Sequence, residues 1–362
     1  MSDTKWQYEL EAYIKQGEPS KIEKSEAWKT AIGLQDVDGL KTSEYLLDTA
    51  KDHIEGKISI EEADSRIISY YEQKAARNEL NSNTQEADIV STRIAKLLGE
   101  KAFVFSYTEW LTIHKKLFEN LFKHAGTIRS YNISKKEWVL KGDTVIYAPC
   151  DSIMNTLEYD FSKEKNFSFE GLSVDACVKH LAKFTSDIWQ IHPFCEGNTR
   201  ATAVFIIKYL KTFGFKVNNS TFENHSWFFR NALVRSNYSN VQNGIYATTK
   251  FLEMFFSNLI LNTDFELKNR FMHVDYSEKP CRAGRTKSIF YNLECTLDEL
   301  AILELIYKDN SITQKDLAIC TGKSASTVKR IIEDLQAKSY IRKIYKNSKV
   351  GWEILINTNT DI

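Results

Sequence analysis

Proline is scarce in this chain, four residues in 362, so long stretches lack the ring that removes a backbone donor and breaks a helix. With many helix formers present, that scarcity predicts a mainly α fold. Neither sign of charge is in excess. Forty-eight basic residues balance 48 acidic ones, which excludes a whole-chain field drawing the protein to nucleic acid or to a membrane surface and leaves only local contacts. The six cysteines, at 150, 177, 195, 281, 295 and 320, form no CxxC pair. Their scatter argues against a zinc site or a disulfide frame and for reduced thiols in a cytoplasm. The N-terminal stretch has no apolar core of the kind a signal peptide needs. The most apolar runs, around Val204 to Leu210 and Phe251 to Leu261, are broken by Lys208 and Glu253, so no membrane span is expected.

What the chain does have is concentrated in nine residues, His192-Pro193-Phe194-Cys195-Glu196-Gly197-Asn198-Thr199-Arg200. The preceding segment, Leu172 to Trp189, carries apolar residues at Val174, Cys177, Val178, Leu181, Phe184, Ile188 and Trp189, and the following one, Ala201 to Phe213, repeats that helical spacing. The nine residues therefore form a tight turn between two buried helices. Such a turn suits phosphate chemistry, because the first amides of the second helix are unpaired and the helix dipole adds partial positive charge there. Gly197 permits close approach of the backbone to an anion. Asn198 can donate to a phosphate oxygen, and Arg200 offers a forked cation. Glu196 is a hard oxygen ligand suited to Mg²⁺ held jointly with phosphates. His192 titrates near working pH and can take a proton from an attacking hydroxyl. Pro193 stiffens the turn, and Phe194 reads as a core plug.

HPFCEGNTR resembles the motif of the Fic (Fido) family, HPFx(D/E)GN(G/K)R, whose members mostly transfer AMP from ATP to a hydroxyl of a target protein. The resemblance implies a protein adenylyltransferase with a Fic-type helical core and a β-hairpin flap. In it His192 is the catalytic base, Glu196 the metal ligand, and Gly197, Asn198, Thr199, Arg200, Asn237, Ile146 and Tyr147 the nucleotide-binding set, with Mg²⁺ and ATP required. Two departures stand out. Thr199 replaces the usual Gly, and the second Arg that many members carry three residues after the first is Ala203. In relatives that second Arg holds the γ-phosphate and pairs with an inhibitory Glu. Its absence leaves AMP transfer and phosphate transfer both open, since the Doc branch, which also lacks it, resembles a kinase.

Flanking segments extend this reading. Residues 1–80 read as a helical module, with capping boxes at Ser20/Glu23 and Ser59/Glu62, a helix from Ser43 to Ile54 between them, and a break from Gly33 to Gly39. It resembles the antitoxin-like module of some Fic proteins, whose inhibitory (S/T)xxxE(G/N) pattern has its nearest match here in Leu34 to Gly39, with Asp38 in place of Glu and Leu34 in place of Ser/Thr. The core is expected over 86–275. Within 126–149, Trp138, Leu140, Val145 and Tyr147 alternate about Lys141-Gly142-Asp143, which predicts a hairpin. By resemblance it is the flap, on which a target segment docks as an added strand along Val145, Ile146 and Tyr147. Residues 290–362 predict three helices and a two-stranded wing, a winged helix-turn-helix. From 309 to 355 it carries nine basic side chains against five acidic ones, which permits DNA contact, while such domains also serve in protein contacts and homodimers. A rival reading is a nucleotide-sensing DNA-binding regulator. The expected partners are a target protein on the hairpin and DNA, protein or a second copy on the winged helix, with no membrane.

Overall fold

The computed structural model describes residues 20–79, 81–213, 220–276, 293, 295–346 and 349–356. The linker expected around Pro280 and Gly284, Cys281 and the wing turn at Asn347-Ser348 lie outside these residues. The chain divides into two compact units, Met1–Ala102 and Phe103–Ile362.

In the first unit, caps written in the sequence set the helix starts. Ser20 caps α1 (Lys21–Gly33) with the full reciprocal box to Glu23. Ser43 caps α2 (Glu44–Ile54) and Ser59 caps α3 (Ile60–Ala76). Between α1 and α2 a short 3-10 turn, Leu34–Asp38, ends at Gly39. The fourth helix, α4 (Ser82–Gly99), packs on α1 and α3 within this unit. Polar groups pin the assembly: Trp28 Nε1 donates to His53 Nδ1 at 2.9 Å. The fully buried Asp88 carboxylate accepts from Ser43 N, Ser43 Oγ and Tyr71 Oη. Three donors on one carboxylate offset the cost of burying it and tie α2, α3 and α4 together.

The second unit opens with α5 (Tyr107–Phe118), capped by Ser106, followed by the 126–149 segment and α6 (Ile153–Lys165). Then come α7 (Val174–Ile191) and α8 (Asn198–Thr212), the two helices expected around the motif. From Asn198 to Leu210 every residue of α8 is buried, so it is the central helix of the unit, surrounded on all sides. An aromatic cluster of Phe105, Trp110, Phe161, Phe184, Phe194, Phe205 and Tyr209 fills the space around it, with ring centroids 4.5–6.5 Å apart along its contacts. Tyr209 Oη donates to the buried Glu164, which also accepts from His180 Nε2 at 2.6 Å. Helices α9 (Ser220–Ser236), kinked at His225, and α10 (Lys250–Leu261) complete the core.

The 126–149 segment differs from the expected hairpin. It does fold back on itself, with Glu137 N donating to Asp143 O and Gly142 N to Glu137 O, but no strand ladder forms. A 3-10 turn at Trp138–Leu140 stands in its place. Two causes are visible. Lys141 and Gly142 both take positive φ, 58° and 87°, which closes the chain tightly, and the Thr144 hydroxyl accepts from Lys135 N, where a ladder would use a carbonyl.

The winged helix-turn-helix is built as predicted. Thr296, Thr313 and Ser324 cap α11 (Leu297–Lys308), α12 (Gln314–Thr321) and α13 (Ala325–Ala337). Strands β1 (Ile341–Lys346) and β2 (Lys349–Ile354) pair antiparallel, Lys343 opposite Trp352. Buried Trp352 anchors the wing by donating to Ile312 O and Asn310 O. Much of the positive charge meets carboxylates: Lys323 pairs with Asp298, Lys329 with Glu333, Lys338 with Glu299 and Arg342 with Glu353. Arg330, on α13, pairs with Glu170 before α7.

Candidate active site

Helix α7 ends at His192, which takes the left-handed conformation at φ 49° and ψ 58°. Phe194 then plunges into the core, its ring stacked on His114 at 3.6 Å and edge-on to Trp110, a burial worth roughly 1.5–3 kcal/mol. The Asn198 side chain closes the turn, accepting from Phe194 N at 3.0 Å and donating to Phe194 O at 2.8 Å. Gly197 is required twice over. Its φ is 75°, and a Cβ there would lie 2.3 Å from the Phe118 ring. Among the described residues, the amides of Cys195, Glu196, Gly197, Asn198 and Thr199 have no hydrogen-bond partner. Five consecutive open donors at the start of a 15-residue helix form a nest for an anion.

His192 is buried beside this nest. Its Nδ1 lies 3.3 Å from Trp189 O, an acceptor only, which assigns the proton to Nδ1. Nε2 then carries the lone pair and has no partner among the described residues. Tyr147 and Trp189 wall the ring at centroid distances of 4.2 and 5.1 Å. Burial, then the nearby cations Lys135, Arg230 and Arg129, hold its pKa well below the usual imidazole value, so the ring is neutral with its Nε2 lone pair open, and it does not titrate near working pH as the sequence suggests. The Glu196 carboxylate is half-exposed and pairs with Lys135 Nζ at 3.1 Å. Arg200 is buried, its guanidinium 4.8 Å from the Phe118 ring centre.

A second group of residues, not singled out in the sequence, meets the turn through its carbonyls. His114 Nδ1 accepts from Gly126 N at 2.9 Å, so its Nε2 donates to Glu196 O, also at 2.9 Å. Burial pushes its pKa down to about 4. The buried Arg129 guanidinium donates to Tyr131 O, Ala148 O, Ile191 O and His192 O, while its main-chain N donates to Pro193 O. Glu137, 1% exposed, receives Arg230 in a bidentate pair at 2.6 and 3.0 Å. This pair fastens the 126–149 segment to α9. Sequence spacing gave no sign of these roles, because the partners are backbone atoms or lie 61 to 93 positions away.

The expected site residues fall as follows. His192, Glu196, Gly197, Asn198, Thr199 and Arg200 share the turn, with the Thr199 hydroxyl taken up by Trp189 Nε1 at 3.0 Å. Tyr147 lies against His192, whereas Ile146 projects outward, 82% exposed, between buried Val145 and Tyr147. That alternation is strand-like. The amides of 145–147 have no partner among the described residues, although Ile146 O accepts from Gln190 Nε2. Asn237 turns its amide onto Ser186 O, Ser186 Oγ and Leu233 O. Asp38 lies exposed in the first unit.

Residues 104–210 match the model of the Fic/DOC family, and residues 299–342 that of the winged helix-turn-helix DNA-binding family. The chain thus carries a Fic/DOC-family domain, with the nine-residue turn inside it, and a C-terminal winged helix-turn-helix domain. Among curated proteins it is similar to the "Probable protein adenylyltransferase Fic" of Escherichia coli (strain K12), 26% identical over 151 residues that span 41% of this chain and 66% of that one, just under two thirds of its length. Among solved structures it aligns with a Fic family protein from Desulfovibrio desulfuricans G20 at 12% identity and a TM-score of 0.35, covering 91% of this chain and 87% of that one. Among the described residues no helix is long and apolar enough to cross a membrane, no three or more His, Cys, Asp or Glu side chains gather to hold a metal, and the five cysteines are free thiols.

Proposed function

We propose that the protein transfers AMP from ATP to a Tyr, Ser or Thr hydroxyl of a target protein. The observation that carries this reading is the unpartnered Nε2 of His192 beside five open amides of the anion nest. The target hydroxyl gives its proton to Nε2 as its oxygen attacks the α-phosphorus. The bond from that phosphorus to the bridging oxygen breaks, and pyrophosphate leaves. The nest and Arg200 stabilise charge on the phosphates, with no covalent intermediate on the chain.

Mg²⁺ fits the residues present. Glu196 is a half-exposed hard oxygen donor that already attracts a cation, Lys135, and with no cluster of further protein ligands among the described residues the phosphates must supply the rest. Bound there, the ion would neutralise phosphate charge. The target segment pairs with the open amides of 145–147, Ile146 facing it. Asp38, in the first unit, is the inhibitory acidic residue of this reading.

Phosphate transfer with the nucleotide reversed is the second reading, favoured by Ala203, buried in α8 where many Fic proteins carry the γ-phosphate Arg. Incubation with ATP labelled at the α- or the γ-phosphate separates the two. Transfer of the α-label supports the proposal, and transfer of the γ-label alone overturns it.

A further inference from the structure

Arg129 is buried to 3% exposure, yet no carboxylate among the described residues pairs with it. Its side chain spends its donors on four main-chain carbonyls, at 2.8 Å to His192, 2.7 Å to Tyr131, 2.5 Å to Ala148 and 3.3 Å to Ile191. A buried cation without a counter-charge is costly, and packing alone would be served by an apolar residue of similar volume. The four carbonyls belong to two places only. Ile191 and His192 are the end of α7 and the base itself, and Tyr131 and Ala148 bracket the stretch containing the open edge at 145–147. The main-chain N of Arg129 adds Pro193 O, the next carbonyl of the turn.

We infer that Arg129 is a positioning residue that fixes the proton acceptor and the target-docking edge in one frame. This inference rests on the transferase reading above. His192 is held at φ 49°, a conformation that a β-carbon disfavours. The Arg129 bond to its carbonyl orients that peptide and therefore the ring. The same guanidinium grips Ala148, one residue beyond Tyr147, whose ring lies against the imidazole. A hydroxyl arriving on the edge is thereby presented to Nε2 at a set distance. Lysine cannot substitute, because one ammonium on a flexible stem has three donors and no planar fork to span four carbonyls.

The test uses the full chain, ATP labelled at the α-phosphate and a host lysate as acceptor, with binding of a non-reactive α,β-methylene analogue of ATP and thermal unfolding measured alongside. Arg129→Lys should keep its unfolding temperature within a few degrees and its affinity for the analogue. Its single-turnover transfer should fall about 10²-fold, the cost of misplacing reacting groups by about 1 Å. Arg129→Gly should regain part of its transfer on addition of low-millimolar ethylguanidinium, while lysine-substituted protein regains none. Wild-type transfer rate in Arg129→Lys would overturn the inference alone, as would parallel loss of folding, analogue binding and transfer in both variants with no rescue. Absence of α-label transfer by the wild-type chain would overturn the transferase reading and the inference with it.

Discussion

The turn from His192 to Arg200 and three buried side chains behind it, His114 on α5 and Arg129 and Glu137 in the 126–149 segment, treat hydrogen bonds in opposite ways. Those three side chains spend their polar atoms on named partners, although Trp110 Nε1, Tyr147 Oη and the amides of 145–147 in the same elements have none among the described residues. The turn leaves Nε2 of His192 and the amides of five consecutive residues without partners. Unmade bonds near a protein interior cost free energy; His114 holds one carbonyl of the open stretch, that of Glu196, and Arg129 holds those of Ile191, His192 and Pro193 just before it. An open turn is thus backed by three side chains whose own bonds are closed.

The largest effect should come from the open side. His192→Ala should lower α-label transfer by about 10² to 10⁴ while Mg²⁺-ATP binding, measured by calorimetry, stays near wild type. Turnover above a few per cent would remove His192 from the role of base.

The support can be probed by pH. His114 has a reference pKa of 6.5 and is held at about 4 when folded, so between these values the unfolded chain takes up a proton that the folded chain refuses. Stability is therefore fully present above pH 6.5 and falls as pH drops towards 4, by about 1.4 kcal/mol per unit and on the order of 3 kcal/mol in all. Denaturant titrations across this range should show a flatter slope in His114→Gln, and an unchanged slope would mean that His114 does not refuse the proton.

A smaller effect is expected at the docking edge. Ile146→Pro removes one open amide, and target modification should fall about tenfold, the worth of one hydrogen bond, with analogue affinity unchanged. Equal loss of both would make the segment a lid over the nucleotide. Smallest of all, Asp38→Ala should raise turnover by about fivefold or less, since the removal of one exposed charge is worth about 1 kcal/mol at most. A silent Asp38→Ala, together with a deletion of residues 1–40 that only lowers thermal stability, would reduce the first unit to a packing module.

How much of this was legible depended on the range of the interaction. Caps at Ser20, Ser43 and Ser59 are local, and each appears where the residues announce it. The turn is equally local, nine residues with its chemistry in order. Helix α6 was missed. Ser152 before it makes no capping bond, and Met154 and Tyr159 are exposed among its buried positions, which blurs the apolar stripe. The flap was read as two strands because alternation was real at Val145 and Tyr147, but a burial pattern does not say whether a partner strand pairs alongside. Arg129 and His114 were invisible for a different reason: each recognises main-chain carbonyls, and a carbonyl looks the same in every residue.

The contact between Gly197 and Phe118 restricts how this sequence can change over time. The phenyl ring occupies the space that any side chain at 197 would need, and it also lies against Arg200 and Phe122. A larger residue at 197 becomes sterically admissible only after 118 has shrunk, and a smaller residue at 118 first opens a void beneath the phosphate-binding turn. Each path passes through a less stable intermediate. Even a joint change at these two positions, 79 apart in the chain, leaves the φ of 75° at 197 to strain any side chain placed there.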